Sequence, residues 1–183
     1  MAEWLTEERE GYLTLALVPG IGSARMQSLL ERFETPNGAL SAPFERLCAV
    51  PGIGAASATA IITVDRRWGR RVVGQLDGLG GHLLLPGDRY FPAALVDIPD
   101  PPICLFALGN LDLLDRPGVA IVGSRDHSSY GAEVCRALAR AVAELGIAVV
   151  SGMARGLDAV AHTGALDALG PTIGVLGNGL GVI

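Results

Sequence analysis

The pentapeptide Val18-Pro19-Gly20-Ile21-Gly22 recurs unchanged as Val50-Pro51-Gly52-Ile53-Gly54, 32 residues further on. Each copy follows an apolar helical segment (residues 12–17 and 44–49) and precedes another (23–33 and 55–64). A proline and two glycines within five residues stop one helix and allow the chain to turn sharply into the next. The first third of the chain is thereby confined to short helices joined by tight turns, and the repetition makes its two halves copies of one unit.

Helix, Pro-Gly-Ile-Gly turn, helix is the sequence form of a helix-hairpin-helix. Its glycines leave amide N–H groups uncovered at the start of the following helix, where a phosphate fits. Two readings follow: the hairpins contact DNA, or they pack together as a small five-helix (SAM-like) domain covering residues 1–78. The run Arg66-Arg67-Trp68-Gly69-Arg70-Arg71 adds local positive charge and reads as a solvated helix face.

Half of the residues are apolar and 18% are charged, which describes a globular chain. There is no apolar stretch long enough for a membrane span, and the acidic opening residues lack the basic and apolar regions of a secretory signal. Cys48, Cys104 and Cys135 are too far apart for a zinc motif, so a reduced, cytoplasmic setting is expected, with no metal and no cofactor. All fourteen basic residues are arginine. Arginine suits bidentate phosphate contacts, although a GC-rich genome yields the same bias. The net charge of −5 excludes binding driven by the overall field, so any nucleic-acid contact must be a local site.

Gly78-Leu79-Gly80-Gly81 ends the helical part. Beyond it, residues 83–85, 103–108, 119–122, 148–150 and 172–176 read as strands, and 131–145 and 157–169 as helices. Strand, helix, strand, helix, strand over 119–176 predicts a parallel sheet with crossovers. The fold class is therefore α/β: a helical helix-hairpin-helix domain followed, over 82–183, by a partial Rossmann-like domain. The chain stops at Gly179-Leu180-Gly181-Val182-Ile183, directly after a strand and without a covering helix, which reads as a truncated domain.

Ligands of parallel sheets bind beyond the carboxyl ends of the strands. After the strand at 119–122 comes Gly123-Ser124-Arg125-Asp126-His127-Ser128-Ser129-Tyr130-Gly131, with small residues, hydroxyls, an arginine and a helix start. That is an anion site in which Gly123, Ser124, Arg125, Ser128, Ser129 and Gly131 hold phosphate, with Ser128 or Ser129 also capping the helix. Ser151-Gly152-Met153-Ala154-Arg155-Gly156-Leu157-Asp158 repeats the design after the next strand, with Ser151, Gly152, Arg155 and Gly156 as phosphate contacts. Asp158 is read as a helix cap or a partner of Arg155, and His162 as a packed, hydrogen-bonded histidine, rather than as an acid and a base. Gly177-Asn178-Gly179-Leu180-Gly181 resembles a dinucleotide loop only weakly.

Three segments are similar, in order and spacing, to the DNA-processing protein A (DprA/Smf) family. They are Tyr90-Phe91-Pro92 through Asp100-Pro101-Pro102 to Leu105-Phe106; Ile121-Val122-Gly123-Ser124-Arg125 with Tyr130-Gly131; and Ser151 through Asp158 with Ala161-His162. The resemblance covers 82–183, and the paired hairpins match the helical domain carried in front. It implies a protein without catalytic activity that binds single-stranded DNA and hands it to a RecA-type recombinase in natural transformation, with Arg125 and Arg155 in the DNA pocket. It also implies a homodimer, whose contacts, like those to the recombinase, lie in further sheet that follows the segment matched here; a winged-helix domain often comes after. Leu157 stands where isoleucine is commoner.

Two other classes compete. A Rossmann-type nucleotide hydrolase similar to the phosphoribohydrolases would need a Pro-Gly-Gly-x-Gly-Thr loop, and a dinucleotide oxidoreductase would need Gly-x-Gly-x-x-Gly after its first strand; neither is present. A fragment that folds and binds nothing would betray itself by association through uncovered apolar faces.

Overall fold

The computed structural model describes residues 6–181. The chain divides into two compact units, Met1–Gly109 and Asn110–Ile183. The first contains α1 (Glu7–Ala16), α2 (Ser23–Phe33), α3 (Pro36–Leu40), α4 (Phe44–Cys48), α5 (Ala55–Thr63) and α6 (Trp68–Gly78), then strands β1 (Gly81–Leu84) and β2 (Leu105–Leu108). The second runs β3 (Gly118–Ala120), α7 (Ser129–Glu144), β4 (Ala148–Ser151), α8 (Leu157–Asp167), β5 (Thr172–Gly174).

The two pentapeptides fold alike. Gly20 and Gly52 take φ of +83° and +80°, a region that penalises any side chain. The amides of Ile21 and Ile53 donate to the carbonyls of Val18 and Val50 at 3.1 and 3.0 Å. Those four side chains are buried in a single core with Leu15, Met26, Leu29, Leu47 and Ile61. Gly22 and Gly54 are the N-caps of α2 and α5, without a side-chain cap. The hairpins thus pack together as expected, with α6 as a further helix after the five.

The arginine-rich run is exposed at Arg66, Arg67, Arg70 and Arg71, as a solvated face requires, while Gly69 turns inward. Gly69 lies so close to α1 that a Cβ there would sit 2.6 Å from the Glu10 carbonyl oxygen. Arg70 pairs with Glu10 and Arg71 with Asp65, while Arg66 donates to the Leu40 carbonyl oxygen. Of these contacts, the Arg70–Glu10 pair ties α6 to α1.

β1 and β2 form an antiparallel pair, Gly81 opposite Leu108. Residues 82–109 pack with the helices in the first compact unit. Leu76 of α6 lies where a Cβ on Gly81 would go, and Arg9 of α1 grips Asp88 with both terminal nitrogens at 2.7 Å. That grip holds the Asp88 carboxyl below its ordinary range, helped by the Leu85 amide.

In the second unit β3, β4 and β5 form a parallel sheet in sequence order, with Gly118 opposite Ala148 and Val149 opposite Thr172. The strands are shorter than their apolar runs, since Ile121 and Val175 still donate to the neighbouring chain (to Val150 and Ser151) beyond the last paired residues. Cys135, Ala139, Ala143, Val149, Ala161 and Ala165 make its core.

Candidate functional site

Because β3 and β4 are parallel neighbours, the two arginine loops leave the sheet side by side, as their spacing in the sequence requires. Their proximity is enforced at one residue. Gly156 has φ +94°, and a Cβ there would lie 2.6 Å from the Arg125 Cα and 2.7 Å from its carbonyl oxygen. The Leu157 amide donates to the Ser124 carbonyl oxygen at 3.1 Å. A Cβ on Gly123 would strike Leu157. Gly123, Ser124, Arg125, Gly156 and Leu157 are therefore one packed junction. Arg125 and Arg155 are exposed, and neither has an ion pair or hydrogen-bonded partner among the described residues, whereas Arg136 and Arg140 are held by Asp167 and Glu144.

The hydroxyls divide by function. Ser128 is the N-cap of α7 and accepts from the Gly131 amide at 3.1 Å, which leaves Ser129 in the first turn. The Ser124 hydroxyl donates to the Asp126 carbonyl oxygen and accepts from its amide, folding the turn that carries Arg125. Ser151 departs from the expected phosphate contact. It is 3% exposed, and its hydroxyl donates to the Ile121 carbonyl oxygen at 2.6 Å, so it joins β4 to the chain leaving β3. A small hydroxyl after a strand signals either use, and only the face it points to separates them.

Asp158 is neither the helix cap nor the partner of Arg155. The N-cap of α8 is Gly156, and the buried Asp158 carboxylate accepts from the Gly123 and Ala154 amides, both at 3.4 Å. A Cβ on Gly152 would lie 2.8 Å from Asp158 Oδ2, so that glycine is needed for the carboxylate to reach both loops. His162 is buried, as expected. Its Nδ1 lies 2.7 Å from the Thr172 hydroxyl, which gives its own proton to the Val149 carbonyl oxygen. Nδ1 must therefore be the donor. The Nε2 of His162 is buried without a partner among the described residues.

Met153, at φ +58°, has no signal in the sequence, because a left-handed non-glycine residue is imposed by its neighbours. The resulting site is an exposed edge with two unpaired guanidiniums, an α8 N-terminus without a side-chain cap and a buried carboxylate bracing both loops. It suits an extended polyanion better than a small enclosed substrate. Among the described residues no helix is long and apolar enough to cross a membrane.

Residues 12–64 match the model of the SAM-like helix-hairpin-helix tandem. Protein Smf of Synechocystis sp. is 32% identical over a 192-residue alignment covering 96% of this chain and 46% of that protein. Protein Smf of Escherichia coli is 44% identical over 103 residues, 56% of this chain and 28% of that protein. This chain thus spans less than half the length of either relative. The X-ray structure of DNA processing protein A (DprA) from Streptococcus pneumoniae superimposes with a TM-score of 0.71 at 28% identity, covering 98% of this chain and 60% of that one. Residues 82–183, more than half of the chain, match the model of DNA recombination-mediator protein A, and the chain belongs to that family.

Proposed function

We propose that this chain binds single-stranded DNA along the carboxyl edge of β3, β4 and β5, as a binding module and not as a catalyst. The observation that carries the reading is the pair of exposed, unpaired arginines on loops locked together at Gly156. On a protein of net charge −5, these groups supply local attraction that the overall field does not. Gly123, Ser124, Ser128, Ser129, Gly131, Gly152 and Gly156 shape the phosphate path, and Asp158 and His162 support it from beneath. Family membership and relatives named for DNA processing favour the same reading. For the whole protein we propose delivery of that strand to a RecA-type recombinase during natural transformation, in the cytoplasm and as a homodimer.

The test is titration of a labelled oligonucleotide at several salt concentrations, with blunt duplex as control. Arg125→Ala and Arg155→Ala should each weaken single-strand binding by about 1–3 kcal/mol and reduce the logarithmic salt slope by about 0.7. His162→Ala should act on stability alone. Arginine variants that bind as tightly as the parent, or duplex bound as tightly as single strand, would overturn the proposal.

A further inference from the structure

Phosphate contacts alone do not separate single strands from duplex, because both present phosphates; a surface for unstacked bases does. Two side chains on the arginine loops offer one. Tyr130, in the first turn of α7 and in the same loop as Arg125, is 75% exposed, and its hydroxyl has no partner among the described residues. Met153, two residues before Arg155, is 51% exposed despite its left-handed backbone. Its thioether lies over the end of β5: a Cβ on Gly174 would come 2.6 Å from Met153 Cγ and 2.9 Å from its sulfur. The Ala154 amide on Asp158 and the close approach of Gly152 to that carboxylate hold the loop in this shape. Backbone strain kept in place by its surroundings is found disproportionately at ligand sites.

We infer that Tyr130 and Met153 are the base-contacting residues of this edge, a phenol ring and a thioether on which unstacked nucleobases lie while phosphates face Arg125 and Arg155. The inference rests on the single-stranded DNA reading and extends it from charge to shape. Each loop then pairs one guanidinium with one apolar surface, a soft and polarizable one at Met153. The rival use of Tyr130 is as the first member of an exposed stripe on α7 with Val134 and Leu138, four residues apart, which would dock a protein.

The experiment compares an oligothymidine with an abasic oligonucleotide of equal length and charge, by fluorescence anisotropy, on variants whose folding is confirmed by circular dichroism. Tyr130→Ala should weaken oligothymidine binding about tenfold, with Tyr130→Phe restoring it and Met153→Ala giving a loss of about two- to fivefold. Neither should alter binding of the abasic strand, which Arg125→Ala should weaken along with the other. If Tyr130→Ala and Met153→Ala bind oligothymidine as the parent does while Arg125→Ala does not, the base-contact inference fails and the DNA reading stands. If the parent binds neither probe, both fail. Equal effects of Leu138→Ala and Tyr130→Ala on both probes would also overturn the inference, in favour of the α7 stripe.

Discussion

The two units are held together in opposite ways. The first unit fills its centre with large aliphatic side chains, among them Leu13, Leu15, Met26, Leu29, Leu47 and Ile61, all fully buried or nearly so. The second has four alanines, a cysteine and a valine at its centre and gains its cohesion from backbone proximity. A Cβ on Gly164 of α8 would lie 2.6 Å from the Arg136 carbonyl oxygen of α7, and one on Gly170 would lie 2.7 Å from that of Ala143. Side-chain volume stabilises the one, and the absence of side chains lets the other close. The first should therefore fail by cavity formation and the second by overpacking.

Leu47→Ala tests the first half of that contrast, and about 2–5 kcal/mol should be lost in denaturant unfolding as a cavity opens between the hairpins. Gly164→Ala tests the second. The added methyl group should cost about 1–3 kcal/mol, with hydrogen exchange quickening in α7 and α8 first. If Gly164→Ala proved neutral, or stabilised the unit as a glycine-to-alanine change in an open helix does, the proximity argument would be wrong.

Acid separates the units in another way. The Asp88 carboxyl has its folded-state pKa lowered, first by the Arg9 hydrogen bonds. A depressed carboxyl stabilises the fold above its unfolded pKa of about 3.9, and that contribution is lost as pH falls through the folded value. Asp88→Asn should therefore flatten the acid limb of the first unit's unfolding curve below about pH 4 and leave the second unit's unchanged. The smallest effect belongs to the surface pair Arg140–Glu144, 2.8 Å apart with both side chains more than half exposed. Glu144→Gln should change stability by no more than about 0.5 kcal/mol, the more so because arginine precedes glutamate along the helix.

Much of this architecture was legible in residue types. The duplicated pentapeptide located four helices within a few residues, because proline and a left-handed glycine are local requirements. The parallel order of β3, β4 and β5 followed from alternating apolar runs and helical periods. What escaped depends on distant partners. The packing of β1 on β2 and under α6 is one such case, since it joins residues 81–108 to the helices of the first compact unit. Residue type alone points Asp158 toward Arg155 or a helix terminus, and the structure gives it neither as a partner. Its actual donors include the Gly123 amide, 35 residues earlier, which no periodicity reveals. The burial of the Ser151 hydroxyl and the strained backbone of Met153 are likewise decided by packing across strands.

The junction at Gly156 bears on kinetics as well as geometry. Two loops already joined through the Ser124 carbonyl oxygen and the Leu157 amide form a single rigid lip before any strand arrives. Under the proposed function, an incoming strand pays for ordering its own bases and a few exposed side chains, and nothing for assembling the loops. Encounter should then proceed at the rate set by diffusion and local charge. Differences among strands and among variants at this edge should appear in how long a complex lasts, with little change in how fast it forms.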